Sequence, residues 1–219
     1  RLYKINDNAP TIIFFHGYHG VSSWDGYGIF KMCIENGINL LMADERAHGR
    51  SEGKTITLGI KERYDCKIWA EYAANRFGEK NDIILAGVSM GAASVIMSSE
   101  LGLPVNIKAI IADCCFSKPS DIIKETVRKM NLPVKPVYSL IRLGAYIYGH
   151  FNLEEMSPLT AVKQLNIPVL FIYGSNDSIV PEAMSEELFK NCPAKKEKII
   201  INNADHANSA MTDYKKYQK

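Results

Sequence analysis

The chain has 219 residues, enough for one compact domain with a sizeable core and too few for two ordinary ones. Its 26 Lys and Arg stand against 24 Asp and Glu, a net charge of +2 with no block of like charges, which excludes a nucleic-acid or acidic-polymer surface as the basis of function. No apolar stretch approaches the roughly 18 residues of a membrane span, and the five cysteines (Cys33, Cys66, Cys114, Cys115 and Cys192), an odd number without metal-ligand spacing, read as reduced thiols in a cytoplasmic setting.

Short β-rich apolar runs alternate with longer stretches of helical period. That pattern predicts an α/β fold, a mostly parallel central sheet with helices on both faces. In chain order, the first strand is expected over Thr11 to Phe15 and leads into the glycine-rich turn His16-Gly17-Tyr18-His19-Gly20. A second strand, Ile38 to Met42, precedes the loop Asp44-Glu45-Arg46-Ala47-His48-Gly49-Arg50-Ser51. A helix from about Gly59 to Phe77 follows, with Ile60, Tyr64, Ile68, Trp69, Tyr72 and Ala73 on the stripe expected to face the sheet and Gly78 as its stop. The strand Asp82 to Ala86 then meets Gly87-Val88-Ser89-Met90-Gly91, after which a helix runs to near Gly102. Further strands are expected at Ile107 to Ala112, Val169 to Tyr173 and Lys198 to Ile201, with a helix opened by Pro181, whose fixed φ suits a first turn.

The strongest local signal is GxSxG between a strand and a helix. A sharp strand-to-helix turn strains the serine backbone, glycines on either side let the neighbouring backbones approach, and the hydroxyl of Ser89 stands exposed above the sheet. A serine becomes a useful nucleophile only when a base takes its proton, and imidazole suits that task near neutral pH. Of five histidines, His206 lies just past the last strand and so emerges at the same carboxyl edge as Ser89. The base needs a third group to hold it in one tautomer. Asp177, which follows the strand ending at Tyr173, is expected to do this; Asp113 is its rival, and Asp205 is less suited because it would have to fold back along its own backbone. Attack on a carbonyl creates an oxyanion, for which the Met90 amide, at the positive end of the following helix, is one expected donor.

Ser89, Asp177 and His206 in that order, with His16-Gly17 after the first strand, resemble the α/β-hydrolase superfamily over essentially the whole chain. Within it the sequence is similar to serine-aminopeptidase-like and lysophospholipase-like single-domain hydrolases, whose DxRGHGxS loop is matched by residues 44–51 with Ala47 in place of the usual glycine. The resemblance implies that the second oxyanion donor is the backbone amide of Tyr18, and that His48 is structural. It also disfavours haloalkane dehalogenase chemistry, because that branch carries an aspartate at the elbow. No nucleotide-binding glycine pattern is present, so no cofactor and no metal is expected. Cys114 and Cys115 lie where they can form a pocket floor, as packing groups rather than nucleophiles.

About 50 residues separate the strand ending at Ala112 from the one starting at Val169, too many for a simple crossover. The segment from Ser117 to Leu165, within a single domain spanning 1–219, is expected to be a small helical cap of two helical stretches. Its stretch from Val137 to Leu153 is apolar and holds Arg142 as its one formal charge, which favours a lid over a helix lying on a membrane. Tyr138, Tyr146, Tyr148 and Phe151 are its expected substrate-binding residues. The chain opens with Arg1, and membrane association is expected only through a segment upstream of it or through the cap.

Three functions fit these residues: a serine hydrolase of esters or related acyl bonds, an aminopeptidase or acyl-peptidase with the same three residues, for which Glu154-Glu155 is the nearest acidic cluster to hold an amine, and a silent hydrolase-fold binding protein. The first is expected, acting on a small-molecule acyl substrate, and the oligomeric state is not readable.

Overall fold

The computed structural model describes residues 1–6, 9–78 and 80–218. Seven strands form one sheet: β1 (Leu2–Tyr3), β2 (Thr11–Phe15), β3 (Asn39–Ala43), β4 (Ile83–Val88), β5 (Ile107–Asp113), β6 (Val169–Gly174) and β7 (Lys196–Ile201). Their spatial order is β1-β3-β2-β4-β5-β6-β7, and every neighbouring pair is parallel except the short β1, which runs antiparallel to β3. The helices are α1 (Ser22–Asp25), α2 (Tyr27–Asn36), α3 (Glu62–Phe77), α4 (Met90–Ser98), α5 (Pro119–Lys129), α6 (Val134–Ile147), α7 (Pro158–Val162), α8 (Glu182–Asn191), α9 (Ser209–Thr212) and α10 (Tyr214–Tyr217). Among the described residues no helix is long and apolar enough to cross a membrane. The fold is that of an α/β-hydrolase.

Strand side chains alternate between the two faces, and each face has its own core. On one, Ile13, Phe15, Leu85 and Phe171 pack under α3, α4, α7 and α8. On the other, Ile12, Phe14, Leu40 and Ile172 pack against Ile29 and Cys33 of α2 and Tyr217 of α10. From β2 the chain moves outward to β3, then crosses back to β4 on the other side of β2. The carboxyl ends of β2 and β4 therefore border a point where the winding reverses, which is where open α/β sheets leave a crevice for ligands.

The stripe of α3 matches the expected one in part: Ile60 and Ala73 lie in the core and Trp69 packs against it. Tyr64, Ile68 and Tyr72 are exposed, and Cys66, Ala70 and Ala73 face the core. Small side chains let α3 lie close to α4, so Tyr64, Ile68 and Tyr72 are displaced outward. Buried Glu62 organises the start of this helix, accepting bonds from the amides of Thr57 and Gly59 at 2.8 and 2.9 Å.

The long insertion also divides differently. It contains α5 and α6 over the crevice, but its third helix, α7, packs on α4 in the main layer, with Leu159, Ala161 and Val162 in the core. The returning chain is pinned to α3, since Arg63 pairs with Glu155 at 2.7 Å and Lys61 Nζ reaches the Gly149 carbonyl at 3.1 Å.

Candidate active site

Ser89 sits between β4 and α4 with φ 54° and ψ −112°, a strained conformation for a residue with a side chain. Its amide is held by the Asp113 carbonyl at 2.8 Å. The two flanking glycines are required by packing. A Cβ on Gly91 would come within 2.2 Å of the Phe15 carbonyl oxygen, and one on Gly87 within 2.3 Å of the Gly91 backbone. Without either Cβ, α4 starts directly against β2 and β4, which sets the serine, buried rather than standing exposed, at the foot of the crevice.

The loops that follow β6 and β7 are laced together. The amides of Ser175 and Asn176 donate to the carbonyls of Ile201 and Ala204 at 3.0 and 3.1 Å, and the Asn203 amide donates to Ser175 Oγ at 3.0 Å. Asp205 adds a clasp, accepting from the amides of Ser178 at 2.8 Å and His206 at 2.7 Å through one oxygen. These bonds to the Ser178 backbone and side chain and to the His206 amide hold its carboxyl down at about 2. It binds the backbone beside the imidazole, not the ring.

This lacing sets Asp177 and His206 side by side. Asp177 Oδ2 lies 2.8 Å from His206 Nδ1, and His206 Nε2 lies 2.9 Å from Ser89 Oγ. Asp177 Oδ1 accepts from the amides of Ile179 and Val180, both at 2.8 Å, so the carboxylate is fixed from both sides. A carboxylate only accepts, so Nδ1 carries the proton and the lone pair of Nε2 faces Ser89.

Asp113 faces elsewhere. Its carboxyl accepts from Ser209 Oγ at 3.2 Å, and burial pushes it up to about 7 against this bond. The folded chain thus keeps a proton here that the unfolded chain releases near 4. Stability from this group is complete below that pH and drains away as pH rises to about 7. Asp113→Asn, which copies the neutral acid, is expected to match the wild type at pH 4 and to be more stable at pH 8 by about 2 to 4 kcal/mol. Urea unfolding at the two pH values checks this; parallel losses in both proteins would refute it.

The loop after β2 is braced by histidines that the expected base does not include. His16 Nε2 accepts from the Glu45 amide at 3.0 Å, so its Nδ1 donates to the Gly17 carbonyl at 2.8 Å, and burial lowers its pKa and keeps it neutral. His48 Nε2 accepts from the His19 amide at 3.1 Å. Asp25 of α1 completes the brace by accepting from the Gly17 amide at 2.8 Å. The loop at 44–51 keeps its glycine-like shape at Ala47, whose φ of 60° costs an alanine about 1 kcal/mol. Asp25 and Asp205 were not readable as positioning groups, because each works through backbone amides of a distant or adjacent loop.

A cavity of about 770 Å³ opens above Ser89 and His206, lined also by Tyr18 and Met90, the residues expected to supply oxyanion donors. The expected aromatic residues of the insertion divide. Phe151 lines the cavity, whereas Tyr146 and Tyr148 are 70% and 84% exposed and Tyr138 is buried beside Glu154. The inward stripe of α6 is Val137, Ile141 and Ala145, four apart, which turns Tyr138 and Tyr146 away. Glu154 accepts from Tyr138 and Arg142, and Glu155 pairs with Arg63, so neither acid borders the cavity. Cys114 and Cys115 lie beneath it, buried and off its lining. Among the described residues one cluster has ligand-type atoms within 4.8 Å of one another, Cys114 with Asp177 and His206. Burial pushes this thiol well up, so it stays protonated, and the other two groups bond each other. The residues do not fit a metal centre.

The chain is similar to known proteins. Residues 85–213 match the family described as serine hydrolase (FSH1), and residues 6–130 match the family described as serine aminopeptidase, S33. The protein YqkD of Bacillus subtilis (strain 168) is 27% identical over 215 residues, covering 98% of this chain and 70% of the relative. The solved esterase Pf2001 of Pyrococcus furiosus superposes with a TM-score of 0.72 at 25% identity, over 97% of this chain and 80% of its own. Est1E from Butyrivibrio proteoclasticus, solved with ferulic acid bound, gives 0.74 at 23% identity over 94% and 86%. With each family match spanning more than half of its length, the chain belongs to the serine hydrolases of the α/β-hydrolase superfamily.

Proposed function

We propose that this hydrolase cleaves a carboxylic ester through an acyl-enzyme on Ser89. The observation that carries the reading is the unbroken hydrogen-bonded chain from Asp177 through His206 to Ser89 Oγ at the foot of a cavity. His206 Nε2 takes the hydroxyl proton as Ser89 Oγ bonds to the ester carbonyl carbon. The amides of Tyr18 and Met90 receive the oxyanion; that of Met90, first in α4, has no carbonyl within its own helix to meet. Each such donor is worth about 10² to 10³ in rate. Collapse of the tetrahedral adduct breaks the bond to the alcohol, which leaves with the proton from His206. Water then attacks the acyl group, gives its proton to His206, and releases the acid with Ser89 restored.

An aminopeptidase needs a carboxylate to hold the substrate amine. Asp25 is the carboxylate on the cavity lining, and one of its oxygens is already engaged by the Gly17 amide. The apolar lining and the engagement of Glu154 and Glu155 elsewhere favour the ester reading. Steady-state assay of p-nitrophenyl butyrate beside alanine p-nitroanilide tests it. The ester is expected to turn over and the anilide not; preference for the anilide would make the protein a peptidase, and inertness toward both would make it a binding protein.

A further inference from the structure

The cavity above Ser89 is more selective in its chemistry than the nucleophile it serves. Among the described residues no lysine or arginine lines it. Helix α5 contributes Ile122 and Val127, Met130 follows at its C-cap, and α6 contributes Val137, Ile141 and Ala145. Leu58, Phe116 and Val180 contribute further apolar wall. The Thr126 hydroxyl, on the same lining, turns back to the Ile122 carbonyl at 2.9 Å and presents no free donor. The two helices also carry this apolar lining out to solvent, where Met130 is 63% and Ile141 37% exposed.

We propose that the cavity selects esters by an uncharged, medium-length aliphatic acyl chain, which lies between α5 and α6 with its carbonyl carbon at Ser89. The proposal rests on Ser89 being the nucleophile. An acetyl group fills little of about 770 Å³ and leaves the walls of α5 and α6 wet. Each further methylene displaces water from that wall and raises kcat/KM by about fourfold, because the contact is kept in the transition state. A carboxylate on the chain would meet no lysine or arginine and lose its hydration, which excludes dicarboxylic esters, and an ammonium would meet only Asp25, one of whose oxygens the Gly17 amide already engages, which disfavours aminoacyl esters.

The test is kcat/KM for the p-nitrophenyl esters of acetate, butyrate and octanoate, measured below the concentrations at which they aggregate. Octanoate, four methylenes longer, is expected to exceed butyrate by about 250-fold if the whole chain is buried. In Ile141→Asp the series is expected to flatten, the octanoate value falling about tenfold or more and acetate much less, because the new charge sits where the chain must pack. Ile141→Leu is expected to keep the slope, which separates loss of an apolar wall from loss of folding. Turnover of all three esters with a flat or falling series would overturn the acyl-chain proposal alone. An unchanged slope in Ile141→Asp would remove α6 from the acyl site. Inertness toward all three esters would instead overturn the role of Ser89.

Discussion

Ser89→Ala is expected to lower kcat for p-nitrophenyl butyrate by about 10⁴- to 10⁶-fold. The alanine removes the atom proposed to bond to the acyl carbon and leaves the rest of the cavity wall untouched, so KM is expected to change far less than kcat. In the proposed mechanism the three residues work as one unit, so adding His206→Ala to Ser89→Ala is expected to cost almost nothing more. The fold survives, because the strained backbone at residue 89 is imposed by the close approach of α4 to β2 at Gly91, and not by the hydroxyl. Steady-state kinetics with circular dichroism on both variants checks this. Activity within about tenfold of wild type would contradict a nucleophilic serine.

Asp177→Asn is expected to cost about 10⁴-fold in kcat. The reason lies in the bonds around the carboxylate. Oδ1 accepts two amides, from Ile179 and Val180, so the oxygen of an asparagine must stay there. Its NH₂ then takes the place of Oδ2 and faces His206 Nδ1. Two donors cannot meet, so the imidazole proton shifts to Nε2, and the ring turns a donor instead of a lone pair toward Ser89. The damage is to the tautomer and leaves packing intact. An unfolding midpoint close to wild type beside a collapsed kcat is the expected pair of results. Near-normal turnover would transfer the orienting role to Asp113, which is 3.2 Å from Ser209 and carries no hydrogen bond to the ring.

Much of this was legible in the sequence because the chemistry demands local patterns. GxSxG marks its own turn, since no other residue than glycine fits where a Cβ would strike Phe15 or the start of α4. Strands buried on both faces read as continuous apolar runs, which is why β2, β4, β5 and β6 were readable to within two residues. What the sequence hides is which side of a helix faces what. In α3 the expected Tyr64, Ile68 and Tyr72 point outward while Cys66 and Ala70 join the expected Ala73 in the core, and in α6 the inward stripe is Val137, Ile141 and Ala145 in place of the tyrosines. Close packing against α4 selected small residues in the first case. In the second, a helix over a cavity is apolar on more than one side, and periodicity alone does not choose among them. Asp25, Asp205 and Glu62 were hidden for a different reason: each caps backbone amides across a loop, a role with no spacing rule.

The proposed bond between the substrate's acyl carbon and Ser89 Oγ is open to a direct test. Wild-type protein mixed with p-nitrophenyl butyrate, quenched in acid within the first turnover and mapped by peptide mass spectrometry, is expected to carry one butyryl group on the peptide containing Ser89, absent from Ser89→Ala. A butyryl group on any other residue, or steady release of p-nitrophenolate with no acylated peptide and no burst, would contradict the account.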